Sequence, residues 1–101
     1  MTAAPGVTLE QLRQRVDSVD HGLLALLAER KRVVLEIARF KRDARLGAHQ
    51  PDRGAAVLAS RTALAAEKGL DVELVRSLFS AIMEASVEEQ ARAMAGLDRS
   101  G

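Results

Sequence analysis

From Leu9 to about Arg45 the chain carries no proline and a single glycine, Gly22, while Leu12, Val16, Val19, Leu23, Leu26, Leu27, Val34 and Ile37 recur at helical spacing. The pattern predicts one helix of about 36 residues, or about 54 Å. A compact globule of about 100 residues has a radius of gyration of only about 13 Å, so such a helix outruns what its own chain can enclose. Thr8 followed by Gln11 forms a capping box that opens it. A second helix starts at Pro51, after the polar loop Gly47 to Gln50, and stops at Gly69. Asp71 caps a third, Leu70 is placed to staple onto Val75, and Gly96 closes it before a polar tail. These elements predict an all-α fold with three helices per chain, one very long. The chain is expected to form a single helical domain over 1–101, with tails at about 1–7 and 97–101. Because the shorter helices are too small to cover the long stripe, a second copy is expected to do so, giving an intertwined homodimer. A coiled-coil or spectrin-like module without chemistry would want the same stripe.

Composition narrows the function classes. The net charge of +1 and an aromatic content of 2% argue against nucleic acid as a partner, since neither a basic footprint nor a stacking platform is present. With Cys 0 and His 2 there is no thiolate or all-histidine metal site, so no metal and no cofactor is expected. His21 and His49 read as solvated side chains. The longest apolar runs, such as Leu23 to Ala28, are about six residues, against about 18 for a membrane span. No signal-peptide pattern opens the chain, and a cytoplasmic location is expected.

The informative residues are cations in the wrong place. On a helical wheel at about 100° per residue the apolar positions of the first helix centre near 130°. Arg30 falls at about 120° and Lys41 at about 140°, in the middle of the stripe and about 16 Å apart along the axis. An unpaired buried cation is expensive, so each must meet an anion, supplied by a salt bridge or by an anionic ligand. Arg13, near 220°, flanks the stripe and can project towards a partner's cavity. Lys31, Arg32, Arg39 and Arg42 read as a solvated face. In the third helix Leu74, Val75, Leu78, Phe79 and Ile82 centre near about 275°, with Ser86 and Gln90 on the flank. Ser86 can bond back to the preceding turn, whereas a buried Gln amide has more valences to satisfy and points to a ligand. Met83 and Met94 read as core.

The order Leu9, Leu12-Arg13, Val16-Asp17, Val19-Asp20, Leu23-Leu24, Leu26-Leu27-Ala28-Glu29-Arg30, Glu36-Ile37 and Lys41 resembles the first helix of the all-helical chorismate mutases. Arg53, Ser86 and Gln90 fall where that family places further active-site residues, with no insertion between Arg13 and Gln90. The resemblance implies a homodimer with buried sites, each completed by Arg13 of the other chain. It implies a small dicarboxylate substrate and a [3,3] sigmatropic (Claisen) rearrangement that needs no nucleophile, metal or general base. Arg13 and Arg30 would clamp the carboxylates, and Lys41 and Gln90 would donate to the ether oxygen as it gains charge. Ser86 would help hold the ring carboxylate, and Arg53 would support the site.

At two positions the chain departs from that pattern. Gln50 and Gly54 stand where well-studied mutases carry an Asp and a Glu near the substrate's C4 hydroxyl. A first-turn Gly costs about 0.5 to 1 kcal/mol relative to Ala, so Gly54 reads either as a tolerated surface defect or as room for a different C4 substituent. The activity expected is therefore rearrangement of 4-amino-4-deoxychorismate to 4-amino-4-deoxyprephenate, on a route to antibiotic precursors, or of chorismate to prephenate in aromatic amino acid biosynthesis. The alternatives are an isochorismate-pyruvate lyase and a noncatalytic helical dimer. Pro51 to Ala56 and Glu67 to Asp71 look lyase-like, whereas Glu84-Ala85-Ser86-Val87 is mutase-like.

Overall fold

The computed structural model describes residues 6–48 and 50–100, with side chains up to residue 96; His49 lies outside the described residues. The elements are α1 (Leu9–Asp43), α2 (Pro51–Glu67) and α3 (Val72–Ser100), with no strand among the described residues. The all-α expectation holds. No helix among the described residues is long and apolar enough to cross a membrane.

Local chemistry accounts for most of the helix ends. At the start of α1 the Thr8 N–H donates to Gln11 Oε1 at 2.9 Å and the Gln11 N–H to Thr8 Oγ1 at 3.1 Å, a complete capping box. Asp71 Oδ1 accepts from the N–H groups of Glu73 and Leu74 at 2.9 and 3.3 Å and so caps α3. Past the end of α2, Gly69 adopts φ +70°; its N–H reaches Ala66 O at 3.2 Å and that of Leu70 reaches Ala65 O at 2.9 Å. This pair of bonds is a Schellman closure, with glycine at its left-handed position. The end of α1 uses the same device with a different residue. Arg45 sits at φ +59°, its N–H donates to Arg42 O at 3.1 Å, and the Leu46 N–H donates to Lys41 O at 2.7 Å. The helix therefore closes at Asp43, ahead of the expected Arg45.

Gly96 does not close α3. The helix continues to Ser100, because one interior glycine costs only about 1 kcal/mol relative to alanine and does not force a stop.

The chain divides into two compact units within the length of α1, one reaching Arg32 and the other starting at Val33. In the first, the apolar stripe is exposed: Leu12 and Leu27 are 42% accessible and Leu26 64%. In the second, α2 and α3 pack against each other as an antiparallel pair. The Arg61 guanidinium lies 5.9 Å from the Phe79 ring centroid, within cation–π range, and the first turn of α2 meets Met83 of α3. Among the described residues, Val34 and Ala38 of α1, Val57 and Ala65 of α2 and Val75 of α3 are the buried apolar ones.

Candidate active site

Helical spacing delivers the site's polar residues to the interior of the second unit. On α1, Val34, Ala38 and Lys41 follow one another at i, i+4 and i+7, so the buried face leads directly to the lysine. Ala38, fully buried, replaces Ile37, 42% exposed, as the packing residue of this segment. On α3 the wheel needs a larger correction. Leu74 and Leu78 are exposed, while Val75, Ser86 and Gln90 are buried, Ser86 at 8% and Gln90 at 7% accessibility. The buried face therefore runs 75, 79, 82/83, 86, 90, and Ser86 and Gln90 lie in its middle rather than on its flank.

The Lys41 Nζ donates to Gln90 Oε1 at 2.7 Å and to Ala48 O at 2.9 Å. An ammonium can only donate, so the amide of Gln90 must turn its oxygen to Lys41 and present its NH2 on the other side. Burial pushes the Lys41 ammonium below its ordinary value of 10.5, since the charged form loses hydration. The second acceptor, Ala48 O, is delivered by the loop that the Arg45 turn begins. The arrangement is two adjacent polar groups from α1 and α3, each able to donate into a partly dehydrated interior.

Around that pair the other expected residues divide. Ser86, one turn before Gln90, donates its hydroxyl to Ile82 O at 2.8 Å. Serving a substrate carboxylate would require that hydroxyl to rotate. Gln50 occupies the N-cap of α2 without capping it; its Nε2 donates instead to Gly47 O at 3.1 Å, leaving Oε1 as the acceptor end. Arg53, in the first turn of α2, is exposed. Gly54 is half-buried rather than a surface defect, and the room expected beside it is partly filled: a Cβ there would lie 3.3 Å from Met83 Cε. Arg13 is exposed and Arg30 half-buried, both in the unit that ends at Arg32. Arg42, expected on a solvated face, is half-buried and pairs with Asp43 at 2.8 Å. His21 is exposed, as expected.

The family model for type II chorismate mutases matches residues 12–91, from the stripe of α1 to one residue past Gln90. The chain belongs to the type II chorismate mutase family. Among its relatives, the T-protein of Enterobacter agglomerans is 37% identical over 78 residues, covering 77% of this chain and 21% of the relative. A 4-amino-4-deoxychorismate mutase of Streptomyces pristinaespiralis is 35% identical over 81 residues, 80% of this chain and 63% of the relative. An isochorismate pyruvate lyase of Pseudomonas aeruginosa is 35% identical over 83 residues, covering 81% and 80%. The chain thus spans about a fifth of the T-protein and under two thirds of the Streptomyces mutase.

The sequence missed Ala38, Ala48 and the true centre of the α3 face. A backbone carbonyl such as that of Ala48 leaves no trace in residue type. The burial of Ala38 follows from helical spacing, but alanine carries too little hydrophobic weight to mark it.

Proposed function

We propose that this protein is a chorismate-mutase-type isomerase, acting on 4-amino-4-deoxychorismate or chorismate in the cytoplasm. The observation that carries this reading is the half-buried Lys41 donating to the buried Gln90 amide. In the rearrangement the ether C–O bond breaks as a C–C bond forms between the enolpyruvyl methylene and the ring, so no outside group is consumed. What catalysis requires is a folded substrate and donors at the oxygen that gains charge. Lys41 and the Gln90 NH2 are those donors. Arg30 and, from a second copy, Arg13 hold the carboxylates; Ser86 turns its hydroxyl to the ring carboxylate, and Arg53 supports the site from α2. Gln50 and Gly54 border the C4 substituent.

The whole chain works as one domain within a homodimer, the exposed stripe of α1 being covered by its second copy. Support for this comes from seven exposed apolar residues at helical spacing, Leu9, Leu12, Val16, Val19, Leu23, Leu26 and Leu27. The Streptomyces relative, a 4-amino-4-deoxychorismate mutase, favours the amino substrate, for which the proposed route is to antibiotic precursors; turnover of chorismate would place the protein in aromatic amino acid biosynthesis. A second reading, an isochorismate-pyruvate lyase, is favoured by the Pseudomonas relative, four fifths of which this chain covers.

The test is a substrate panel on purified protein, following chorismate, 4-amino-4-deoxychorismate and isochorismate by product mass and ultraviolet absorbance. Rearrangement of either of the first two supports the mutase reading. Pyruvate release from isochorismate alone transfers the protein to the lyases, and no turnover leaves a noncatalytic helical dimer.

A further inference from the structure

Gly54 does not leave a hole beside it. Gly54 is half-buried in the first turn of α2, and a Cβ built on it would stand 3.3 Å from Met83 Cε, closer than ordinary van der Waals contact. Met83 belongs to the same face of α3 as Ser86 and Gln90, at i+3 and i+7. Its side chain is half-buried, unbranched and flexible, the kind that fills an irregular gap and yields when pressed. Nearby on the chain, Gln50 turns its amide nitrogen to Gly47 O. Beside Gly54 the face is thus lined by a thioether methyl, and that methyl must give by a few tenths of an ångström before any side chain can stand at 54.

We propose that Met83 is the specificity-determining residue at the substrate's C4 substituent, acting as one unit with Gly54. The assignment rests on the mutase reading above. A thioether is a weak acceptor and carries no charge, so this wall selects among C4 groups by shape and by the cost of dehydrating them. A carboxylate at 54 would select instead by attraction and would favour an ammonium over a hydroxyl. A glutamate side chain at 54 would have to displace the Met83 methyl to reach the same place.

The experiment compares kcat/KM for 4-amino-4-deoxychorismate and chorismate across the unmodified protein, M83A, M83L, G54E and G54E/M83A. In M83A the ratio of the two values moves towards unity by about tenfold, while M83L, which keeps the volume, retains folding if M83A does not. G54E alone loses activity on both substrates, and G54E/M83A regains it with the ratio displaced towards the amino compound by about tenfold or more. A merely structural Met83 would change stability and overall rate but leave the ratio alone, so ratios within twofold in every folded variant overturn the proposal. If the unmodified protein turns over neither compound, the mutase reading fails and takes this assignment with it. If it turns over both and only the ratios fail to move, Met83 alone is wrongly assigned.

Discussion

The segment of α1 up to Arg32 and the unit from Val33 onward break opposite rules. The first leaves a continuous run of large apolar residues in water, with Leu24 at 65% accessibility; the second exposes some as well, Phe40 and Leu74 among them, but it also withdraws Ser86 and Gln90, to 8% and 7%. Each carries a free-energy cost, about 25 cal/mol for every Å² of apolar surface left wet and about 1 to 3 kcal/mol for a buried polar group left unbonded. The costs have different remedies. Exposed leucines at helical spacing are relieved by another surface, whereas a buried amide beside an ammonium is relieved by hydrogen bonds, first Lys41 to Gln90 and then a polar ligand. Under the proposed function the two costs have two complements, a second copy of the chain for the exposed stripe and a small anion for the buried polar pair.

The largest expected effect breaks the first half of the comparison. Leu23→Asp places a carboxylate in the middle of the stripe, twice per dimer, and should cost several kcal/mol of association free energy. Sedimentation should then show monomers at concentrations where the unmodified protein is paired. A protein that is monomeric without the substitution would remove the stripe's proposed purpose.

On the second half, Gln90→Glu keeps the shape and, when ionised, removes the donor. Near neutral pH turnover should drop by about 10²-fold, the scale of one lost donor at a developing oxyanion, and part of it should return as acidification protonates the new carboxyl. A pH–rate profile as flat as that of the unmodified protein would show that the amide NH2 donates to nothing that matters.

A smaller effect comes from the Lys41 ammonium. Its folded-state value lies below 10.5 because of burial, so on raising the pH it loses its proton earlier in the folded than in the unfolded chain. Activity should therefore fall on the alkaline side through that lowered value. Stability should move the other way in the window between it and 10.5, rising with pH because the unfolded chain there binds more protons. With Tyr 0 and Cys 0, no phenol or thiol titrates across this window. Denaturant melts of the unmodified protein and of Lys41→Met should differ in slope there, and equal slopes would show that the lysine is not dehydrated.

The smallest effect concerns the turn that brings Ala48 O to Lys41. Arg45 occupies a left-handed position that glycine takes without strain, as Gly69 does at the end of α2. Arg45→Gly should raise stability by about 0.5 to 1 kcal/mol in denaturant melts with kcat/KM unchanged. A loss of stability would mean that the Arg45 side chain makes a contact worth more than the strain.

What was legible in the sequence was local. Thr8 with Gln11, Pro51, Gly69 and Asp71 each act through backbone groups within a few residues, and their positions marked the helix ends correctly. The α1 end falls ahead of Arg45 because its left-handed residue is an arginine, which carries no stop signal, and the α3 end lies beyond Gly96 because the helix carries that glycine through. Lys41, Ser86 and Gln90 stood out singly as polar residues on apolar faces. Their arrangement did not, because the leucines at 74 and 78 pulled the apparent face away from the buried one, and only packing decides which apolar residues a short chain leaves outside. The contact of Met83 with Gly54 links α3 to α2 across the fold and follows no period along either.

In the proposed homodimer, Arg13 of one copy serves the Lys41 of the other. Arg13→Ala and Lys41→Ala, each inactive alone, should be mixed after brief unfolding and refolding together. Half of the randomly paired dimers are then mixed, and each mixed dimer has one site with both residues intact, so about a quarter of the full activity should return. Activity no higher than that of the separate variants, with mixed dimers shown to form by mass, would contradict the claim.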